Sequence, residues 1–139
     1  EHLGVSKPVV GINGNGMHTN ISISKNGKNL FWDPKGAEKL SKFGWQFVDR
    51  ILTHGNDICL MLNASVNAYR RLDPHFEAPN QIKASATDRG SMIRIPIGNE
   101  RSARIEVRSV APDARPCRRK GSARASPTEG RGLSEAKGS

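Results

Sequence analysis

Three short stretches set groups that bind anions and cations at alternating positions. In residues 17–24, His18, Asn20, Ser22 and Ser24 alternate with Met17, Thr19, Ile21 and Ile23, and a period of two places the polar set on one face of a strand. In residues 91–97, Ile93, Ile95 and Ile97 share a face while Arg94 points the other way. In residues 103–108, Arg104, Glu106 and Arg108 stand opposite Ile105 and Val107. Paired side by side, such strands spread arginines and one carboxylate over a common polar surface. Guanidinium forks bind phosphate and carboxylate oxygens two at a time, and a carboxylate between them can hold a cation. The plainer alternative is a solvated sheet face laced with ion pairs, because antiparallel sheets often keep one face in water. A lone strand histidine such as His18 is likewise more often structural than a metal ligand.

Other candidates are weaker. The run 11–16, Gly-Ile-Asn-Gly-Asn-Gly, suits tight turns, but it lacks the Gly-Lys-Ser/Thr ending of a P-loop and does not open a helix. Cys59 lies in an apolar stretch without a nearby His-Asn/Asp set, so it reads as a small buried hydrophobe. With Cys117 it makes two thiols far apart in sequence, too few for a disulfide framework or a four-cysteine zinc site, and both are expected to stay reduced in cytoplasm.

The elements that must position these groups are legible in outline. Residues 17–24 form a strand, Lys25-Asn26-Gly27-Lys28 a hairpin turn, and 29–32 its return. Asp33 as N-cap with Pro34 at the first helical position predicts a helix start, with slippage toward Gly36. Leu40, Phe43, Phe47, Val48, Ile51 and Leu52 then recur every three or four residues, predicting a helix from about 36 to about 54. Residues 58–62 form a short buried segment that suits a second helix. Residues 72–80, with Pro74 and Pro79, form a loop, and strands follow over 82–88, 91–97 and 103–108.

A chain of 139 residues fits one domain and excludes a complete two-domain enzyme. Mean hydropathy is −0.58, and no apolar run approaches the ~20 residues that span a bilayer. The chain opens at Glu1 without a signal-peptide pattern, which reads as a fragment. A net charge of +9 would ordinarily suggest nucleic acid, but the charge is uneven. Residues 115–139 carry seven basic and two acidic residues and only Leu133 among Leu, Ile, Val and Phe, whereas residues 1–114 hold the other 28 and a net charge of +4. That tail cannot bury a core and is expected to be disordered. It lacks interleaved aromatic residues, so no nucleic-acid partner is expected.

Taken in order, the strings NGNGMHTNIS (13–22), NGKNLF (26–31), NAYRRLDPHFEAPN (67–80), ATDRGSMIRIP (86–96), ARIEVR (103–108) and APDA (111–114) resemble consecutive signature regions of the glutamine synthetase family. The likeness runs from about residue 5 to 114. It implies an α+β fold, part of a catalytic domain with an antiparallel curved sheet and packed helices. It implies glutamate activation by ATP to γ-glutamyl phosphate, then displacement of phosphate by ammonia, with magnesium or manganese as cofactor and ATP as substrate. A ring-shaped dodecamer is implied for the full-length parent. Carried over by resemblance, His18 and Glu106 are metal ligands; Asn13, Gly14, Arg71 and Arg108 bind glutamate; and Ser22, Arg89, Arg94 and Arg104 contact ATP or the transferring phosphoryl group. Glu77, in the loop that closes over glutamate, accepts a proton from ammonium, and with Arg89 forms the catalytic pair.

Departures from the family pattern are specific. Asn20 replaces a second histidine, His75 stands where the closing loop has glycine, and Arg101 replaces a lysine. After Asp113-Ala114 the family continues Asn-Pro-Tyr, but this chain reads Arg115-Pro116-Cys117-Arg118-Arg119-Lys120, as a reading-frame shift would give. The expectation is a partial catalytic domain over 1–114 with a non-native tail over 115–139, inactive by itself. Two rival readings are a family ligase joining glutamate to a polyamine or other amine, and a non-catalytic remnant that binds acidic partners through its tail.

Overall fold

The computed structural model describes residues 5–114, so the expectations for the tail and for Cys117 fall outside the described residues. In chain order the elements are β1 (Thr19–Ile21), β2 (Ser24–Lys25), β3 (Lys28–Asn29), α1 (Lys42–Thr53), α2 (Gly55–Leu62), α3 (Val66–Arg71), β4 (Gln81–Ser85), β5 (Ser91–Arg94) and β6 (Ile105–Val107). A four-stranded sheet runs β1-β6-β5-β4, and β2 pairs with β3 as a separate hairpin. Asn26 and Gly27 turn that hairpin with φ of 52° and 76°, the left-handed region that Asn-Gly turns adopt readily.

The α+β class holds, but the sheet is mixed. β6 is antiparallel to both β1 and β5, whereas β4 runs parallel to β5. The alternation of residues 91–97 reports which side chains share a face and carries no information on strand direction. Here the chain returns through the turn at 86–90, so that the Gln81 amide donates to the Gly90 carbonyl at 3.1 Å and the Ile95 amide to the Ser85 carbonyl at 3.1 Å.

The first helix starts later than its sequence signal. Asp33 accepts the Lys35 amide at 3.0 Å and closes a local turn. A short 3-10 turn, Ala37–Lys39, then leads to Leu40, which lies in extended backbone and is 2% exposed. Burial of Leu40 beside Phe31 and Val48 keeps this segment out of the helix. The cap is Ser41, whose hydroxyl accepts the Gly44 amide at 3.0 Å and donates to the Leu30 carbonyl at 2.6 Å. The predicted end near His54 agrees with the C-cap, and residues 58–62 belong to α2. Helix α3 falls inside a stretch with no predicted element; Ser65 caps it by accepting the Ala68 amide at 3.0 Å.

Phe31, Leu40, Val48, Met92, Ile93, Ile95, Ala103 and Ile105 form the buried core, with Phe47, Ile51 and Leu52 of α1 packed against it. Each fully buried Phe, Ile or Met contributes about 1.5–3 kcal/mol over exposure. This packing fixes α1 against the apolar side of the sheet and leaves the row Asn20, Glu106 and Arg94 on the other side, aligned by strand register.

Candidate functional site

Register explains the first half of the site. Asn20 lies opposite Glu106 on the neighbouring strand, and Glu106 lies opposite Arg94 on the next, so the three side chains emerge side by side. His18, just before β1, reaches the Glu106 carboxylate with Nδ1 2.8 Å from Oε1. The other carboxylate oxygen accepts from Arg94 Nη1 at 3.4 Å. Arg104 donates from Nε to the Asn20 side-chain carbonyl at 3.0 Å. Glu106 is only 9% exposed, which departs from a freely solvated sheet face. A buried carboxylate needs partners, and His18 and Arg94 supply them.

Loops and α3 build the second half. A pocket of about 250 Å³ is lined by Asn13, Gly14, Gly16, His18, Arg71, Phe76, Glu77, Ala78 and Arg108. Arg71 enters from the last turn of α3, is 4% exposed, and donates through Nη2 to the carbonyls of Arg108 and Val110 at 3.3 and 3.4 Å. Burial lowers its pKa from the ordinary arginine value, the nearby Arg108 lowers it further, and Asp113 opposes both; a guanidinium stays protonated under such pressure. Arg108 donates to the main-chain carbonyls of Arg89 and Glu77, bridging the two loops that carry them. The Nε atoms of both arginines are buried without a hydrogen-bond partner. Two cations lining one pocket suit an anion, and the pocket is of a size to take a small one.

The glycine-rich run forms one wall because it must pass close to its neighbours. A Cβ on Gly14 would meet the Ser6 carbonyl oxygen at 2.3 Å and Arg71 Cγ at 3.0 Å. That carbonyl accepts the Asn15 amide at 2.7 Å. Asp113 accepts from Ser6 Oγ at 2.5 Å and also from Ser65 Oγ, which joins the 5–7 segment to the start of α3. Burial acts to raise the Asp113 pKa, but the Ser6 and Ser65 hydroxyls, its own amide and Arg71 outweigh it and hold the carboxyl below its ordinary value.

Asn13, Gly14, His18, Arg71, Glu77 and Arg108 are thus brought to one pocket, with Glu106 joined to it through His18. Glu77 pairs with Arg89 at its mouth. Arg94 and Arg104 stand farther along the sheet face, and Ser22 lies apart in a cleft of about 600 Å³ with Asn29, Glu100 and Arg101. Sequence reasoning missed Lys7, Asn67 and Phe76 as parts of the construction; all three stood inside or beside the family strings, but their partners are distant in sequence. Among the described residues no group of three or more His, Cys, Asp or Glu side chains is poised to hold a metal ion. The pair His18 and Glu106 fits a divalent cation as two ligands of a larger set: one carboxylate oxygen donor and one imidazole, already within hydrogen-bond reach of each other. No helix among the described residues is long and apolar enough to cross a membrane.

Residues 5–117 match the family described as glutamine synthetase, catalytic domain. The glutamine synthetases of Thermus thermophilus and Methanosarcina mazei are 42% and 43% identical over 110 residues, which is 79% of this chain and 25% of theirs. The cryo-EM structure of Plasmodium falciparum glutamine synthetase superposes with a TM-score of 0.72 at 35% identity, covering 78% of this chain and 22% of that one. The chain therefore spans about a quarter of the length of the curated relatives it matches.

Proposed function

The chain belongs to the glutamine synthetase catalytic-domain family, and from that premise we propose that it supplies the glutamate pocket and part of the phosphoryl-transfer site of an ATP-dependent glutamate–ammonia ligase. The observation that carries this reading is the pair of buried arginines, Arg71 and Arg108, lining one pocket. A dicarboxylate neutralises them. Asn13 and Gly14, on the same wall, contact the amino-acid end of the substrate. Glu77, at the pocket mouth, is the carboxylate that takes a proton from ammonium, because the amine must be neutral before it attacks an acyl phosphate.

On the sheet side, Arg94 and Arg104 face the nucleotide phosphates, Ser22 contacts the nucleotide, and Arg89 stabilises the transferring phosphoryl group. Donors fixed in advance where charge develops are the main resource in such a transfer. His18 and Glu106 would hold magnesium or manganese, with further donors coming from ATP, water and other parts of a full-length enzyme. A cation held there would supply neutralisation of phosphate charge and polarisation of the phosphoryl oxygens. Since the described residues hold no group of three or more such ligands, the 139-residue chain is expected to be inactive alone. Ring-shaped homo-oligomers, with sites shared between neighbouring subunits, belong to this reading of the full-length enzyme.

The test is glutamine formation from glutamate, ammonia and Mg-ATP by a full-length chain containing this segment. Arg71→Met is expected to lower kcat/KM by about 100-fold, the loss of roughly two charge-assisted hydrogen bonds. Arg50→Met, exposed at the end of α1, serves as the control. Preference for a polyamine over ammonia would replace this reading with an amine ligase of the same family, and an unaffected Arg71→Met enzyme would overturn the pocket assignment.

A further inference from the structure

Lys7 is an unusual lysine. It is 7% exposed, and among the described residues no carboxylate lies within ion-pair distance of it. Asp73 stands beyond that distance but feels the charge: after the hydrogen bonds from His75, Lys7 helps to hold its carboxyl below the ordinary value. A buried ammonium is costly unless it is compensated, so its closer contacts matter. Its Nζ donates to the Ile12 carbonyl at 2.5 Å and stands 3.7 Å from the centroid of the Phe76 ring. Ile12 opens the glycine-rich wall of the pocket, and Phe76 belongs to the opposite wall, in the loop that carries Glu77.

The root of the side chain is fixed as firmly as its tip. Asn67 of α3 accepts the Lys7 amide at 2.7 Å and donates to the Lys7 carbonyl at 2.9 Å. Arg71 follows Asn67 by four residues and therefore lies on the same face of the helix. One helix thus sets both the arginine inside the pocket and the lysine that spans its two walls.

We propose that Lys7 is a positioning residue whose ammonium ties the 73–79 loop, through Phe76, to the 11–16 loop, through Ile12, and so sets how tightly the pocket closes. A cation over a ring face contributes most when it is desolvated, as here. The 73–79 loop has other ties, with the Glu77 carbonyl accepting from Arg108 and the Glu77 carboxylate pairing with Arg89, and internal bonds from the Phe76 amide to the Asp73 carbonyl and the Ala78 amide to the Phe76 carbonyl, at 3.2 and 2.7 Å. The Lys7 ammonium is what joins it to the Ile12 carbonyl at the head of the 11–16 loop. Without the ammonium, the Phe76 ring loses its anchor on the glycine-rich side. The tie itself rests on pocket geometry; its consequence for retaining glutamate rests on the function proposed above.

Amide hydrogen exchange on the whole chain tests the tie without any need for activity. Lys7→Met keeps the apolar stem and removes the charge; Phe76→Leu keeps the lysine and removes the ring. Each is expected to speed exchange of the Phe76 and Ala78 amides by about tenfold, with amides of β5 and β6 unchanged. Lys7→Arg, which keeps the cation, is expected to restore protection. Equal acceleration in β5 and β6 would mean that Lys7 serves general stability only, and unchanged exchange in the 73–79 loop, or rapid exchange throughout the unmodified chain, would also overturn the proposal. In a full-length enzyme, Lys7→Met should raise KM for glutamate more than it lowers kcat. If no glutamine forms even with Lys7 in place, the functional reading fails while the exchange result still decides the tie.

Discussion

The sheet side and the loop side of the site each bury charge, Glu106 on one and Lys7, Arg71 and Arg108 on the other, by different means. On the sheet side, Asn20, Glu106 and Arg94 stand in a row because three strands are in register, and backbone hydrogen bonds that every residue can make set the spacing. On the loop side, Gly14, Lys7, Arg71 and Phe76 meet through particular side chains: Ser6 and Ser65 on Asp113, Asn67 on Lys7, and Lys7 on Ile12 and Phe76. A register tolerates a changed side chain, whereas a chain of single contacts fails at its weakest link. The sheet side is therefore expected to tolerate single substitutions, and the loop side to respond to them strongly.

The sharpest way to break this contrast is at Gly14. Gly14→Ala forces a Cβ to within 2.3 Å of the Ser6 carbonyl oxygen, and overpacking against backbone is expected to cost about 3 kcal/mol, read as a fall in the urea midpoint. Gly27→Ala in the β2–β3 hairpin meets no atom within 4 Å and bears only the strain of φ 76°, about 1 kcal/mol. Equal losses from the two would show that the glycine-rich wall is looser than its contacts suggest.

On the sheet side, Glu106→Gln keeps the shape and removes the charge that His18 and Arg94 face. In a full-length chain it is expected to weaken Mn²⁺ binding by tenfold or more, about 1.4 kcal/mol, while leaving thermal stability nearly unchanged; titration calorimetry and a melting curve measure the two. A large loss of stability would mean that this wall too depends on single contacts.

Ser65→Ala removes a helix cap and one Asp113 partner together, at an expected cost of about 1 kcal/mol, again read from the urea midpoint. The smallest effect is in pH. The Asp113 carboxyl is held below its ordinary value, so its contribution is complete above the unfolded-state pKa and disappears as pH falls through the lower folded-state value. Carbon-detected NMR titration should find Asp113 titrating below the ordinary aspartate range, and Ser6→Ala should move it upward. A titration unmoved by Ser6→Ala would remove the hydroxyl from the account.

How much of this could be read in advance follows the same division. Alternation in residues 17–24, 91–97 and 103–108 was enough to predict that His18, Arg94, Arg104 and Glu106 share a face, because side-chain direction in a strand follows from local backbone geometry. The start of α1 went astray at Asp33-Pro34, a sound local signal that burial of Leu40 overrides in favour of Ser41. Helix α3 escaped because its stability rests on Ser65 and on packing rather than on a long apolar stripe. Of the candidate residues, those tied by resemblance to the glycine-rich run and to residues 67–80 do line one pocket with His18 and Arg108, yet nothing in their spacing gives that geometry.

By itself, then, the sequence determined the α+β class, the hairpin at Asn26-Gly27, the polar face of the sheet and the family strings, since each depends on neighbours within a few residues or on matched words. Only the tertiary structure decided that β4 runs parallel to β5, that Glu106 is buried between His18 and Arg94, and that Lys7 reaches Phe76. Those outcomes depend on contacts between residues far apart in the chain, and such contacts are chosen by packing and by the need to pair every buried charge, neither of which leaves a local trace.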